Sequence, residues 1–191
     1  RLKNIPGSVW AMLGIAVAVG MVVGLLISIF LVAPLQVGCY RWYILNRTSN
    51  PPMGELLNSF RNGYFNTAKI MFCKGLYTTL WSLLFIIPGI IKAYEYSMIP
   101  YLLAENPNMS KQEAFAISKE LMDGNKFNAF VLDLSFILWN FVGALALGLP
   151  GVFFVNPYVQ LTNVELYVKL CQIRAERHNS TYNQDNNQNF N

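Results

Sequence analysis

From Asn4 to Tyr40 the chain runs for 37 residues without a single charge. About 20 apolar residues already cross the hydrocarbon core of a bilayer. In that medium every backbone N–H and C=O must find its partner within the segment, which a helix provides. Two more uncharged stretches follow, Gly75–Ile91 with 17 residues and Leu134–Val164 with 31. The whole chain carries only 13% charged residues against about 25% in ordinary domains, and its mean hydropathy is +0.34. Counted without Tyr and with Gly, its apolar share is roughly 56% against a usual 45–50%. A soluble domain of 191 residues would leave much of that surface in water. The expectation is an all-α membrane protein, which disfavours a disordered chain, a disulfide scaffold or a nucleic-acid-binding module.

The formal charge of +4 fits the collection of Lys and Arg in cytoplasmic loops better than a nucleic-acid partner. Cys39, Cys73 and Cys171 lie far apart with no paired spacing, as expected of thiols that remain reduced. No short apolar segment with a small-residue cleavage site precedes a polar domain, so no removable signal peptide is expected.

The simplest count gives four spans, but with Arg1 and Lys3 inside it places Arg41, Arg47, Arg61, Lys69 and Lys74 outside against only Glu55. The positive-inside rule resists that. Breaks within the stretches give another count. Pro34, Pro88-Gly89 and Pro150-Gly151 each interrupt an apolar run, and proline disrupts the helix ladder. Three hairpins, about 9–47, 65–105 and 127–172, return every basic segment to one side with both termini cytoplasmic. The reading is therefore a polytopic helical bundle of four to six membrane segments, forming a single membrane domain over 1–177. Short second limbs at 34–47 and 89–105 admit tilted or partly re-entrant segments, or segments buried against neighbours, in place of full spans. The pieces echo one another weakly, as a threefold repeat would.

Two linkers read as cytoplasmic amphipathic helices, about 53–61 and 110–123. The second opens on the capping box Ser110-Lys-Gln-Glu113, carries Ala114, Phe115, Ile117, Leu121 and Met122, and meets a stop at Gly124. It is expected on the bilayer surface or against the bundle. Residues 178–191, rich in Asn and Gln, are expected to be a disordered tail.

The segment Ile86-Ile-Pro-Gly-Ile-Ile-Lys-Ala-Tyr-Glu-Tyr-Ser-Met-Ile-Pro-Tyr-Leu-Leu-Ala-Glu-Asn-Pro107 is specific. With the capped helix, Gly124-Asn125-Lys126 and Phe130–Trp139, it resembles an uncharacterised family of bacterial integral membrane proteins, domain-of-unknown-function family 975. The resemblance covers roughly 34–170. It implies a multi-span protein of the bacterial plasma membrane and brings no activity with it.

Candidate chemistry rests on the ionisable residues within apolar stretches, since these are costly in lipid. Lys92 and Glu95 share a helix face and can pair near the turn of the second hairpin, as an ion site or as a structural pair at the far interface. Asp133 has no local partner and can line a polar cavity or reach Lys92. Glu165 and Lys169 form a further pair at i,i+4. In the first run Ala16, Gly20, Gly24 and Ser28 recur every four residues, a stripe that lets helices approach closely in lipid. Packing within the chain is expected first, with another protomer as the alternative. The sole histidine, His178, lies in the tail, and no Walker A, GxGxxG or GxSxG motif is present. No metal, cofactor or enzymatic activity is expected. The expected role is an accessory, scaffold or interaction subunit of a membrane assembly, in contact with lipids and as a homo-oligomer or part of a larger complex. The rivals are a small transporter or permeation subunit and a lipid- or amphipathic-peptide-binding protein.

Overall fold

The computed structural model describes residues 7–145 and 156–189, with side chains over 9–137 and 158–180. Every regular element among them is helical. The order is α1 Gly7–Ile27, a π turn Ser28–Val32, α2 Ala33–Leu45, a 3₁₀ turn Met53–Leu57, α3 Asn58–Arg61, α4 Tyr64–Leu84, α5 Ile86–Glu95, α6 Ile99–Glu105, α7 Lys111–Met122, α8 Lys126–Leu145 and α9 Asn156–Asn189.

The first apolar run does not turn at Pro34. Helical backbone continues through it, so Val9–Leu45 forms one rod of 37 residues, about 55 Å long. The physical reason lies in how the missing proline N–H is absorbed. The π turn just before Pro34 lets the Ala33 N–H donate five residues back to the Ser28 carbonyl. The Phe30 carbonyl, which a residue at position 34 would normally serve, accepts the Tyr64 hydroxyl at 2.6 Å. Proline kinks are tolerated when a neighbour satisfies the freed group. The expected hairpin over 9–47 is thus replaced by a single long helix, whose two ends cannot lie on one face of a membrane that it crosses.

The second run does reverse, but at Phe85, whose backbone is extended (φ −154°, ψ 141°). Pro88 sits in the first turn of α5, where its missing N–H has no helical acceptor to serve. Gly89 lets α5 fold back on α4, because a Cβ there would lie 2.5 Å from Ser82 Cα. Each limb from Gly75 to Leu84 and from Ile86 to Glu95 holds ten residues, about 15 Å, or half a hydrocarbon core. The proposed turn at Pro150-Gly151 lies outside the described residues. Since the first run passes straight through its proline and the second reverses, the threefold echo does not extend to the described fold of those two.

The core gathers around α6. Ile99, Pro100, Tyr101, Leu102, Leu103 and Ala104 are all buried, so this helix is apolar on every side because protein surrounds it. Of the alternatives for the second limb over 89–105, burial against neighbours is the one that 99–104 adopts. Val37 of α2, Ile70 of α4, Met122 of α7 and Tyr167 of α9 pack around it. The Tyr101 ring lies 4.3 Å from that of Tyr40 and 5.4 Å from that of Tyr167, whose hydroxyl donates to Glu105 at 2.6 Å.

The capped helix forms as its sequence dictates: Ser110 Oγ accepts from the Glu113 N–H, and Gly124 adopts φ +74°. Its apolar face, with Ala114, Leu121 and Met122 buried, lies against the body. The 53–61 linker becomes the 3₁₀ turn and α3. Glu165 does not turn to Lys169; it holds Arg47 through two hydrogen bonds of 2.6 and 2.9 Å. The α9 backbone stays helical to Asn189, where the composition predicts a disordered tail. No Gly or Pro follows Pro157 to stop an established helix, and Glu120 of α7 ties Arg174 and His178 to the body at 2.9 Å each.

Outside this body the described residues expose apolar surface in several places. Residues 9–27 of α1 are exposed throughout. The tip of the α4–α5 hairpin exposes Leu83, Phe85, Ile86 and Ile87, and α8 exposes Phe127, Val131 and Ile137.

Candidate functional site

Polar side chains converge where α5, α7 and α8 meet. Glu95 ends α5 and is 3% exposed. Its Oε1 accepts from Lys92 Nζ at 2.9 Å and its Oε2 from Lys126 Nζ at 3.3 Å. Its backbone carbonyl, one of those left unserved at a helix C-terminus, accepts Ser118 Oγ from α7 at 2.7 Å. The ammonium of Lys92 also stands 5.7 Å from the ring centres of both Trp81 and Tyr96, within cation–π range. A buried carboxylate is therefore held by two cations, one of them flanked by two rings, while a hydroxyl holds the backbone of the same residue.

This cluster stands beside α7, the helix read as cytoplasmic, and not at the turn of the second hairpin. The short second limb explains the difference, since ten residues bring the chain back to the body at Glu95. Lys126 is the partner that sequence reasoning missed. It is 31 residues from Glu95, and only the stop at Gly124, which starts α8 there, hints at its placement.

Asp133 joins a different partner. Its Oδ2 accepts from the Tyr94 hydroxyl at 2.8 Å, and Lys92 remains with Glu95. Tyr94 and Asp133 line a cavity of about 320 Å³, together with Tyr40, Lys74, Thr78 and Tyr101. The cavity draws on α2, α4, α5, α6, α8 and α9, which makes it the one place among those described where the three uncharged stretches and α6 meet polar groups. Its polar lining consists of hydroxyls, an amide, one carboxylate and one ammonium. Among the described residues no three His, Cys, Asp or Glu side chains come together in a way that could hold a metal ion.

The small-residue stripe is uncovered among the described residues. A Cβ added at Gly20 or Gly24 would meet nothing within 4 Å. Ala16 is exposed, and Ser28 borders an apolar groove between the π turn and α4 that also includes Gly75 and Leu76. The expected packing of this stripe within the chain is therefore not met by the described residues.

No curated protein and no solved structure matches the chain. A family does, and its match takes in α1 from its first residue, the α4–α5 hairpin, the capped α7 and every residue of the cluster and cavity. Because that match, to the family described as "Protein of unknown function (DUF975)", extends over residues 7–174, the chain belongs to this family.

Proposed function

We propose that the chain is a non-enzymatic, multi-pass protein of the bacterial plasma membrane that serves as an accessory or interaction subunit of a membrane assembly. The observation that carries this reading is α1, an apolar helix exposed over 9–27 whose Ala16, Gly20 and Gly24 face is uncovered among the described residues. Helices in lipid associate through such small-residue faces, where backbones approach closely. The cluster at Glu95 supports a structural role, since its carboxylate is already engaged by two lysines.

A rod that crosses once also sets an orientation. The body that follows carries Arg41, Arg47, Arg61, Lys69 and Lys74 near the membrane and takes the cytoplasmic side. The Gly7 end then faces outward, in place of the cytoplasmic N-terminus that three hairpins would give. The α4–α5 hairpin enters to half depth, and α8, with 20 residues or about 30 Å, reaches across.

Two experiments test this. In a variant lacking Cys39, Cys73 and Cys171, a cysteine at Ser8 (Ser8→Cys) reacts with an impermeant maleimide added outside intact cells, whereas Asn108→Cys reacts only after permeabilisation. The reverse pattern overturns the orientation. Extraction from native membranes yields a stoichiometric protein partner or a defined homo-oligomer, and Gly20→Leu with Gly24→Leu reduces its yield about tenfold or more without lowering Tm. A bare monomer at every detergent concentration removes the interaction reading.

The cavity beside Asp133 favours one rival, a small permeation subunit. That reading requires solute flux in proteoliposomes that falls in Asp133→Asn or Glu95→Gln.

A further inference from the structure

The cavity between Tyr40 and Asp133 holds an ammonium and a carboxylate that do not pair with each other. Asp133 takes the Tyr94 hydroxyl, and among the described residues Lys74 Nζ has no hydrogen-bond or ion-pair partner. The Asn163 amide, also in the wall, has none either. Of the other hydroxyls in the wall, Thr78 Oγ1 donates to the Lys74 carbonyl at 2.9 Å, Ser97 Oγ donates to the Tyr94 carbonyl at 2.7 Å, and Tyr40 accepts from Gln36 Nε2 at 2.9 Å. The wall therefore carries the half-buried Lys74 ammonium and the Asn163 amide as unused donors, and a carboxylate with lone pairs to spare.

The position of the cavity along the chain is equally informative. Tyr40 ends the first uncharged stretch, Lys74 immediately precedes the second and Ala93 closely follows it, and Asp133 immediately precedes the third, which has Asn163 near its end. With those stretches in the bilayer, the cavity lies at the depth of lipid headgroups. We propose that it binds a small zwitterion, with an anionic group on Lys74 Nζ and the Asn163 amide and an ammonium on the Asp133 carboxylate beside the Tyr94 and Tyr101 rings. The ligand chemistry is that of phosphoethanolamine. Its source is the headgroup of phosphatidylethanolamine, and this part rests on the bilayer placement above; recognition of the zwitterion itself does not.

The full chain in detergent is analysed by native mass spectrometry with phosphatidylethanolamine, with phosphatidylglycerol, and with water-soluble O-phosphoethanolamine as a competitor. Phosphatidylethanolamine is retained about tenfold or more over phosphatidylglycerol, as expected for one or two charge-assisted hydrogen bonds. O-phosphoethanolamine displaces it. Lys74→Met and Asp133→Asn each abolish the selectivity, and Asn163→Ala weakens it, with Tm maintained; Lys74→Met removes an unpartnered charge and does not lower Tm. Binding of O-phosphoethanolamine that depends on Lys74 and Asp133, without preference between the lipids, supports the zwitterion site and assigns it to a soluble ligand. Stronger retention of phosphatidylglycerol, no binding of O-phosphoethanolamine, or binding indifferent to Lys74 and Asp133 overturns the proposal. Because the soluble headgroup needs no bilayer, its failure is separable from failure of the orientation tested by Ser8→Cys labelling.

Discussion

Gly38→Ala is expected to destabilise the protein by about 3 kcal/mol, a large cost for adding one methyl group. Gly38 is buried on α2 where the 3₁₀ turn Met53–Leu57 crosses it. A Cβ at that position would lie 1.9 Å from the Leu56 carbonyl oxygen and 2.8 Å from its carbon, both closer than the 3.0 Å that real Cβ contacts respect. The obstacle is backbone, so no rotamer change relieves it. Nor is the turn free to slide away. One turn further along α2, Arg41 Nε donates to Glu55 at 2.7 Å and its Nη1 to the Ala104 carbonyl at 2.9 Å, which fastens the linker to both α2 and α6. Gly75→Ala is the control. That glycine lies within α4 with nothing within 4 Å of a built Cβ, so alanine there gains helix propensity of up to about 1 kcal/mol. The same substitution thus has opposite signs at two sites, measurable as detergent-resistant unfolding midpoints. Equal effects at both would remove the close approach at Gly38 from the account of the fold.

The features legible in the sequence are those in which cause and effect lie within a few residues. Ser110 and Glu113 cap α7 because the side chain and the N–H that it serves are three positions apart, and Gly124 stops it because a left-handed residue costs glycine little. Lys92 and Glu95 pair because helix geometry puts them on one face. Where the deciding partner is distant in sequence, local reasoning gives a different structure. Pro34 reads as a break, but Tyr64, 30 residues away, takes up the Phe30 carbonyl that it leaves unserved. Residues 99–104 read as membrane because a helix apolar all round satisfies lipid and protein core equally, and only the residues packed around α6 distinguish the two. Asp133 finds Tyr94 across 39 residues, a pairing that no periodicity encodes. The candidate residues were therefore legible one by one, whereas their grouping into a closed ion cluster and a separate cavity depended on where α8 starts relative to α5.

Removing both lysines of that cluster, Lys92→Met with Lys126→Met, is expected to cost about 3–5 kcal/mol, because it leaves the Glu95 carboxylate buried and uncompensated. Either single change leaves one partner and costs less than half of that. The two effects are not additive, because each lysine can compensate the carboxylate in the absence of the other. Lys92→Met also removes an ammonium from between the Trp81 and Tyr96 rings, but the methionine stem can occupy the same aromatic slot. The decisive variant adds Glu95→Leu to the double change. If the penalty comes from an unpaired buried charge, the triple variant regains most of the lost stability, since replacing all members of a buried ionic cluster by apolar groups of similar size is often close to neutral. If the cluster instead holds the α5, α7 and α8 junction together by geometry, the triple variant stays as unstable as the double. The Ser118 hydroxyl reports on this separately. It donates to the Glu95 backbone carbonyl, which no side-chain change at 95 removes, so the α5–α7 contact has a support of its own. Recovery of the midpoint in the triple variant would therefore assign the cluster to charge compensation, and leave Ser118 and the packed face of α7 as what fixes the end of α5.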